Sequence, residues 1–120
     1  MIPGELPAML PTPLGPVVGL LCLEGLERDY ITARTTPGTT LIALCANERV
    51  LVHSGLAMTQ FNAVAGMTAA ETHVPVVRAS LYGASAIVDA GGTVLAVSEP
   101  DTDGVLTLAG DMVHHRPGMP

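Results

Sequence analysis

A chain of 120 residues has the size of one compact domain or a piece of a larger one. Its net charge of −6 and its scattered basic residues, all arginine (Arg28, Arg34, Arg49, Arg78, Arg116), exclude the clustered footprint of a nucleic-acid binder. Apolar residues make up 48% and aromatics only 2%, so any core is built from Val, Leu, Ile, Ala and Met. Charged residues, at 13%, leave an apolar surface, which implies either a face that something else covers or a composition biased toward Ala and Gly.

Residues 1–16, "MIPGELPAMLPTPLGP", read as a Pro-rich extended arm or linker, because proline fixes φ and removes a donor. The stretch has no basic start and is broken by prolines, so it is not a signal peptide. No apolar run in the chain reaches the roughly 20 residues of a membrane helix. "VVGLLCL" (17–23) is a continuous apolar run of strand length, the pattern of a buried parallel strand. "EGLERDYITARTT" (24–36) predicts a short helix ending at a Pro-Gly turn, and "TTLIALCA" (39–46) a second buried strand. Strand, helix, strand makes a βαβ unit, whose functional edge lies at the carboxyl ends of the strands.

"NERVLVHSG" (47–55) therefore falls at that edge. "LAMTQFNAVAGMTAAETH" (56–73) sets Met58, Phe61, Ala65 and Met67 near helical spacing, so it is the best helix in the chain. "VPVVRAS" (74–80) predicts a strand, and "ASAIVDAGGTVLAVSE" (84–99) a hairpin turning at "AGG". "DGVLTLAGDMV" (103–113) predicts a last strand, and residues 114–120 form a tail. No repeat is visible.

Candidates for chemistry are few. Cys22 stands where a strand gives way to a loop or helix, a position that can activate a thiolate through backbone N–H groups. The plainer reading is a small buried hydrophobe, since free cysteines in apolar runs are usually buried. Cys22 and Cys45 form no metal spacing and no disulfide framework, so they read as free thiols of a cytosolic kind. His53 and His73 are possible bases with no placement near Cys22, and the pair His114 and His115 sits in the tail. No metal site and no cofactor is implied.

Read in order, "VVGLLCLEG", "LIALCANE", "TQFNAVAGMTAAETHVPVVRASLYGASAIVDAGGTVLA" and "GVLTLAGDM" resemble the carbon–nitrogen hydrolase (nitrilase) superfamily. Within it the chain most resembles the C-terminal half of the periplasmic catalytic domain of the apolipoprotein N-acyltransferases. Pro75, Arg78, Ala79, Gly83, Ser85, Asp89 and Gly92 fall in register with the most specific stretch. The family's Cys-aromatic-Glu motif reads Cys22-Leu23-Glu24, its Asn-Asp reads Asn47-Glu48, and its helix with Gln early and Glu late supplies Gln60 and Glu71.

The resemblance implies an α/β fold forming half of a four-layer α-β-β-α sandwich, an incomplete domain spanning residues 17–113. It implies Cys22 as the nucleophile that forms an acyl-thioester and Glu24 as its support, with Asn47, Glu71 and Arg78 in substrate-binding or structural positions. A thiol is only slightly ionised at neutral pH, so such a nucleophile needs a base and a local positive field. The family's general-base Glu and oxyanion Lys lie upstream of the cysteine motif, where this chain has only 21 residues and no lysine.

Glu5 is the single carboxylate before Cys22. Leu23 replaces the motif's aromatic, "NERVL" lacks the family's two aromatics, and Thr68 stands where an Arg is usual. The expected chain is thus a fragment or decayed remnant, inactive alone, whose partner is the missing N-terminal half or a second copy. An acyl donor and an amine acceptor are its substrates if it is active. It is cytoplasmic if expressed alone and membrane-associated as part of a full acyltransferase. Two other readings stay open: a piece of a soluble amidase or nitrilase, and a non-catalytic α/β interaction module.

Overall fold

The computed structural model describes residues 9–49, 54–99 and 104. Its strands are β1 (Met9–Thr12), β2 (Gly15–Leu21), β3 (Leu41–Asn47), β4 (Val76–Leu81), β5 (Ala86–Val88) and β6 (Val94–Val97), and they form one sheet in chain order. The two helices are α1 (Arg28–Arg34) and α2 (Gly55–Thr72), with a 3-10 turn at Cys22–Leu26. β2, β3 and β4 are parallel, and the flanking pairs β1–β2, β4–β5 and β5–β6 are antiparallel.

The two apolar runs form the expected parallel strands because both carry β-branched and aliphatic side chains on either face. The Pro-rich stretch is extended from residue 9 and is also paired: β1 folds back on β2 through a turn in which Gly15 takes φ +115. A Cβ on Gly15 would meet the side chain of Thr40, so glycine is required there for both dihedral and space. The helix expected over 24–36 is two pieces, broken at Glu27, whose φ −94 and ψ 86 are not helical. Gly25 lets the 3-10 turn lie on β3, where a Cβ would be 2.6 Å from Leu44 Cδ2.

α2 begins at Ser54, whose Oγ accepts from Ala57 N at 3.2 Å, and ends at His73 in the left-handed region with φ 57. The hairpin turns where expected. Asp89 Oδ1 accepts from Gly91 N and Thr93 N, both at 2.9 Å, and Gly92 adopts φ +91. α2 rests on that turn by glycine-to-glycine approach, since a Cβ on Gly66 would lie 2.9 Å from the Gly92 carbonyl oxygen. The last expected strand, 103–113, and the tail fall outside the described residues, Gly104 excepted.

The crossovers from β2 to β3 and from β3 to β4 step across the sheet in the same direction. With a common hand they put both helices on one face. The core forms there, from Val18, Leu20, Ile42, Leu44, Val76 and Val88 against Ile31, Ala65 and Ala69. Alternate residues of the same strands point to the other face, where Leu21, Cys45, Ala79 and Leu81 are exposed. This is one half of an α-β-β-α arrangement, one helical layer on one sheet.

Candidate active site

Because the strand order never reverses among the described residues, the carboxyl edge has no switch-point crevice. Its features come from the three loops that follow β2, β3 and β4. Cys22 opens the first. It is exposed and sits at φ 53, a left-handed conformation that costs a non-glycine residue on the order of 1 kcal/mol or more and so must be held by its surroundings. Glu24 holds it: Oε2 accepts from Leu21 N at 2.8 Å and Oε1 accepts from Tyr30 OH at 3.3 Å. The carboxylate thus straps the 3-10 turn to the end of β2 and to α1, on both sides of the thiol.

The exposure corrects the plainer sequence reading. Cys22 and Cys45 both lie in apolar runs, yet neither is buried. Hydrophobic neighbours in sequence do not bury a residue that the strand's alternation or its end turns outward.

The second loop holds a residue that the sequence named only as part of the Asn47-Glu48 pair, without a role. Glu48, one position after β3, is buried and ion-paired with Arg78, which is only 1% exposed. Arg78 Nη1 also donates to Asn62 Oδ1 of α2 at 3.1 Å and to the Ala84 carbonyl. Glu48 Oε2 accepts from Ser80 Oγ at 2.8 Å, and Ser80 Oγ accepts from Gly83 N at 3.1 Å. Burying two charges costs several kcal/mol each unless every polar atom is met, and this network meets them. It ties the loop after β3, the loop after β4 and α2 into one block.

Gly83 fits only as glycine, because a Cβ would run into Glu48, Ser80 and Met58. Tyr82 beside it takes φ 73, with the Arg49 guanidinium 5.6 Å from its ring. An acidic residue directly after a buried strand was the signal for Glu48, and its partner 30 residues on was not inferable without the β3–β4 register.

Cys22, Asn47, Glu48 and Arg78 line a common cavity of 190 Å³ between the sheet and the helices. Asn47 Oδ1 accepts from Arg49 N at 3.2 Å, which shapes the loop beside the cavity. Glu71 is not brought to this site. It lies near the far end of α2 in a surface ion pair, 2.9 Å from Arg28 Nε. His73, capping α2 before β4, stands at the opposite edge of the sheet, and His53, His114 and His115 lie outside the described residues.

Among the described residues Cys22 Sγ has no hydrogen-bond partner, and no cluster of His, Cys, Asp or Glu could hold a metal ion. No helix among them is long and apolar enough to cross a membrane.

The carbon-nitrogen hydrolase family model matches residues 1–116. A curated relative, the apolipoprotein N-acyltransferase of Synechocystis sp., is 32% identical over 98 residues, covering 82% of this chain and 18% of its own. Two solved structures share the fold. A carbon-nitrogen hydrolase from Helicobacter pylori G27 superposes with a TM-score of 0.71 at 14% identity, covering 85% of this chain and 43% of its own. Saccharomyces cerevisiae Nit3, a member of branch 10 of the nitrilase superfamily, gives 0.67 at 18% identity, covering 85% and 40%. The chain therefore spans less than half of each of these relatives, and it belongs to the carbon-nitrogen hydrolase family.

Proposed function

We propose that Cys22 is the nucleophile of an acyl-transfer site of the N-acyltransferase type. Its thiolate attacks an acyl carbonyl, the donor's alcohol or amine leaves, and the acyl group passes from the thioester to an amine. The observation that carries this reading is the placement of Cys22: exposed, at φ 53, at the carboxyl edge and on the wall of the cavity. Likeness to an acyltransferase named for apolipoprotein substrates favours an amine acceptor over water. Lipoprotein biosynthesis at a membrane is the setting that likeness suggests.

These residues do not turn over alone on this reading. The sequence contains no lysine, and no base among the described residues contacts Cys22, so on this reading the base and the oxyanion cation come from groups other than the described residues. The same outside layer, from the remaining half of the domain or from a partner, covers the open sheet face.

The test is single-turnover acylation of the chain by an activated ester, followed by peptide mass spectrometry. Stoichiometric thioester at Cys22 that hydroxylamine releases, without multiple turnovers, is expected. A chain acylated only at Cys45, or at neither thiol, sinks the nucleophile. Partition of the trapped thioester to a peptide amine supports transferase chemistry, and partition to water alone supports the amidase reading.

A further inference from the structure

Cys22 and Cys45 are the two cysteines of the chain, and they stand at the ends of different strands. Register brings them together. In the parallel pair β2–β3 the partner of Cys45 is Leu21, so Cys22 lies one residue beyond the position directly opposite Cys45. Neighbouring strands about 4.8 Å apart, with about 3.3 Å of rise per residue, put the two Cα atoms roughly 6 Å from one another. Disulfides bridge Cα separations of about 4.4–6.8 Å.

Both thiols are also open to solvent. Cys45 is exposed on the bare face of the sheet. Alternation would send Cys22 to the covered face with Leu20, which is 3% exposed, but φ 53 ends the strand there and leaves Cys22 exposed as well. The cavity that Cys22 borders and the hollow that Cys45 borders share Ala46 and Asn47 in their linings, so the thiols flank one corner of the carboxyl edge. Joining them takes a swing of the 3-10 turn about Leu21. That turn is five residues long, and its tie from Glu24 Oε2 to Leu21 N is a contact that a covalent bond outweighs.

We propose that Cys22 and Cys45 form a reversible intramolecular disulfide when a hydroperoxide is present, and that the oxidised form withdraws the Cys22 thiol from chemistry at the carboxyl edge. The Cys22 sulfur attacks the peroxide, the O–O bond breaks, and a sulfenic acid and one water form. The Cys45 sulfur then attacks the Cys22 sulfur. The S–S bond forms, the S–O bond breaks, and hydroxide leaves with the Cys45 proton as a second water. The peroxide takes up the electron pair that the two thiols lose, and a thiol reductant returns it by exchange. The pairing stands whether or not Cys22 carries acyl groups.

The test treats the full, reduced chain at low micromolar concentration with a slight excess of hydrogen peroxide. Intact mass and non-reducing peptide maps give the readout. A monomer lighter by the mass of both thiol hydrogens, with one peptide joining Cys22 to Cys45 and full recovery by dithiothreitol, is expected. Sulfinic acid at Cys22 beside a free Cys45, disulfide-linked dimers, or two unreacted thiols each overturn the proposal.

A second chain separates closeness in the sheet from the mere presence of two thiols. Ala79 is the β4 partner of Cys45, also exposed, and one strand further from Cys22, about 10 Å away. Ala79→Cys in a Cys45→Ser background should therefore link to Cys22 on the order of tenfold or more slowly than Cys45 does. A smaller difference means that register does not join the thiols, and the proposal fails.

Discussion

The two faces of the sheet are cut from the same strands and have opposite fates. On β3, Ile42 and Leu44 are buried under the helices, while Cys45, in the next position, is exposed on the other side. β4 repeats the contrast with Val76 and Arg78 inside and Ala79 and Leu81 outside. The outer side chains are as apolar as those of many protein cores: Leu21 is 67% exposed and Leu81 58%. Burial here is decided by whether a layer lies above a residue, and hydrophobicity alone does not bring one. The strands carry the composition of a sheet covered on both sides, with one cover in place.

That comparison can be tested by breaking each side of it. The largest effect is expected from Arg78→Ala, which leaves Glu48 buried without its cation and should cost about 3–5 kcal/mol in urea unfolding. A loss under about 1 kcal/mol would mean that the polar block does not hold the loops together. Ile42→Ala on the covered face should cost about 3 kcal/mol. Leu81→Ala on the bare face should change stability by less than about 0.5 kcal/mol in the isolated chain. A large cost at Leu81 would show the bare face already covered in solution.

Glu24→Ala removes the acceptor for Leu21 N and Tyr30 OH and should cost about 1 kcal/mol, the worth of a capping side chain. It should also slow acylation of Cys22 and leave Cys45 unchanged, which separates a local role from general loosening. The smallest effect is expected from Glu71→Gln: the Arg28 pair is exposed, so the change should fall within about 0.5 kcal/mol and leave Cys22 acylation untouched. A marked loss of acylation there would reconnect Glu71 to the site.

Much of the architecture was legible because its signals are local. Unbroken aliphatic runs at 17–23 and 39–46 marked the parallel strands, and "AGG" marked the hairpin whose Gly92 needs a positive φ. α2 was legible from the spacing of Met58, Phe61 and Ala65. The break at Glu27 and the pairing of β1 were not, since each depends on contacts with β2, β3 and Thr40 rather than on propensity. The site divided the same way. Cys22 and Glu24 share one turn and were found together, Arg78 was found without its partner, and Glu71 was grouped with residues that the helix carries it away from.

By itself the sequence determined which segments become strands and helices, and that the thiol of Cys22 stands where the first buried strand ends. Short-range patterning suffices for these, because periodicity and turn residues act within a few positions. Only the tertiary structure decided that Cys22 is open to solvent, that the buried Glu48 and Arg78 neutralise each other, and that all three line one largely apolar cavity. Those follow from strand register and from both crossovers packing on one face, which bring residues 30 positions apart into contact.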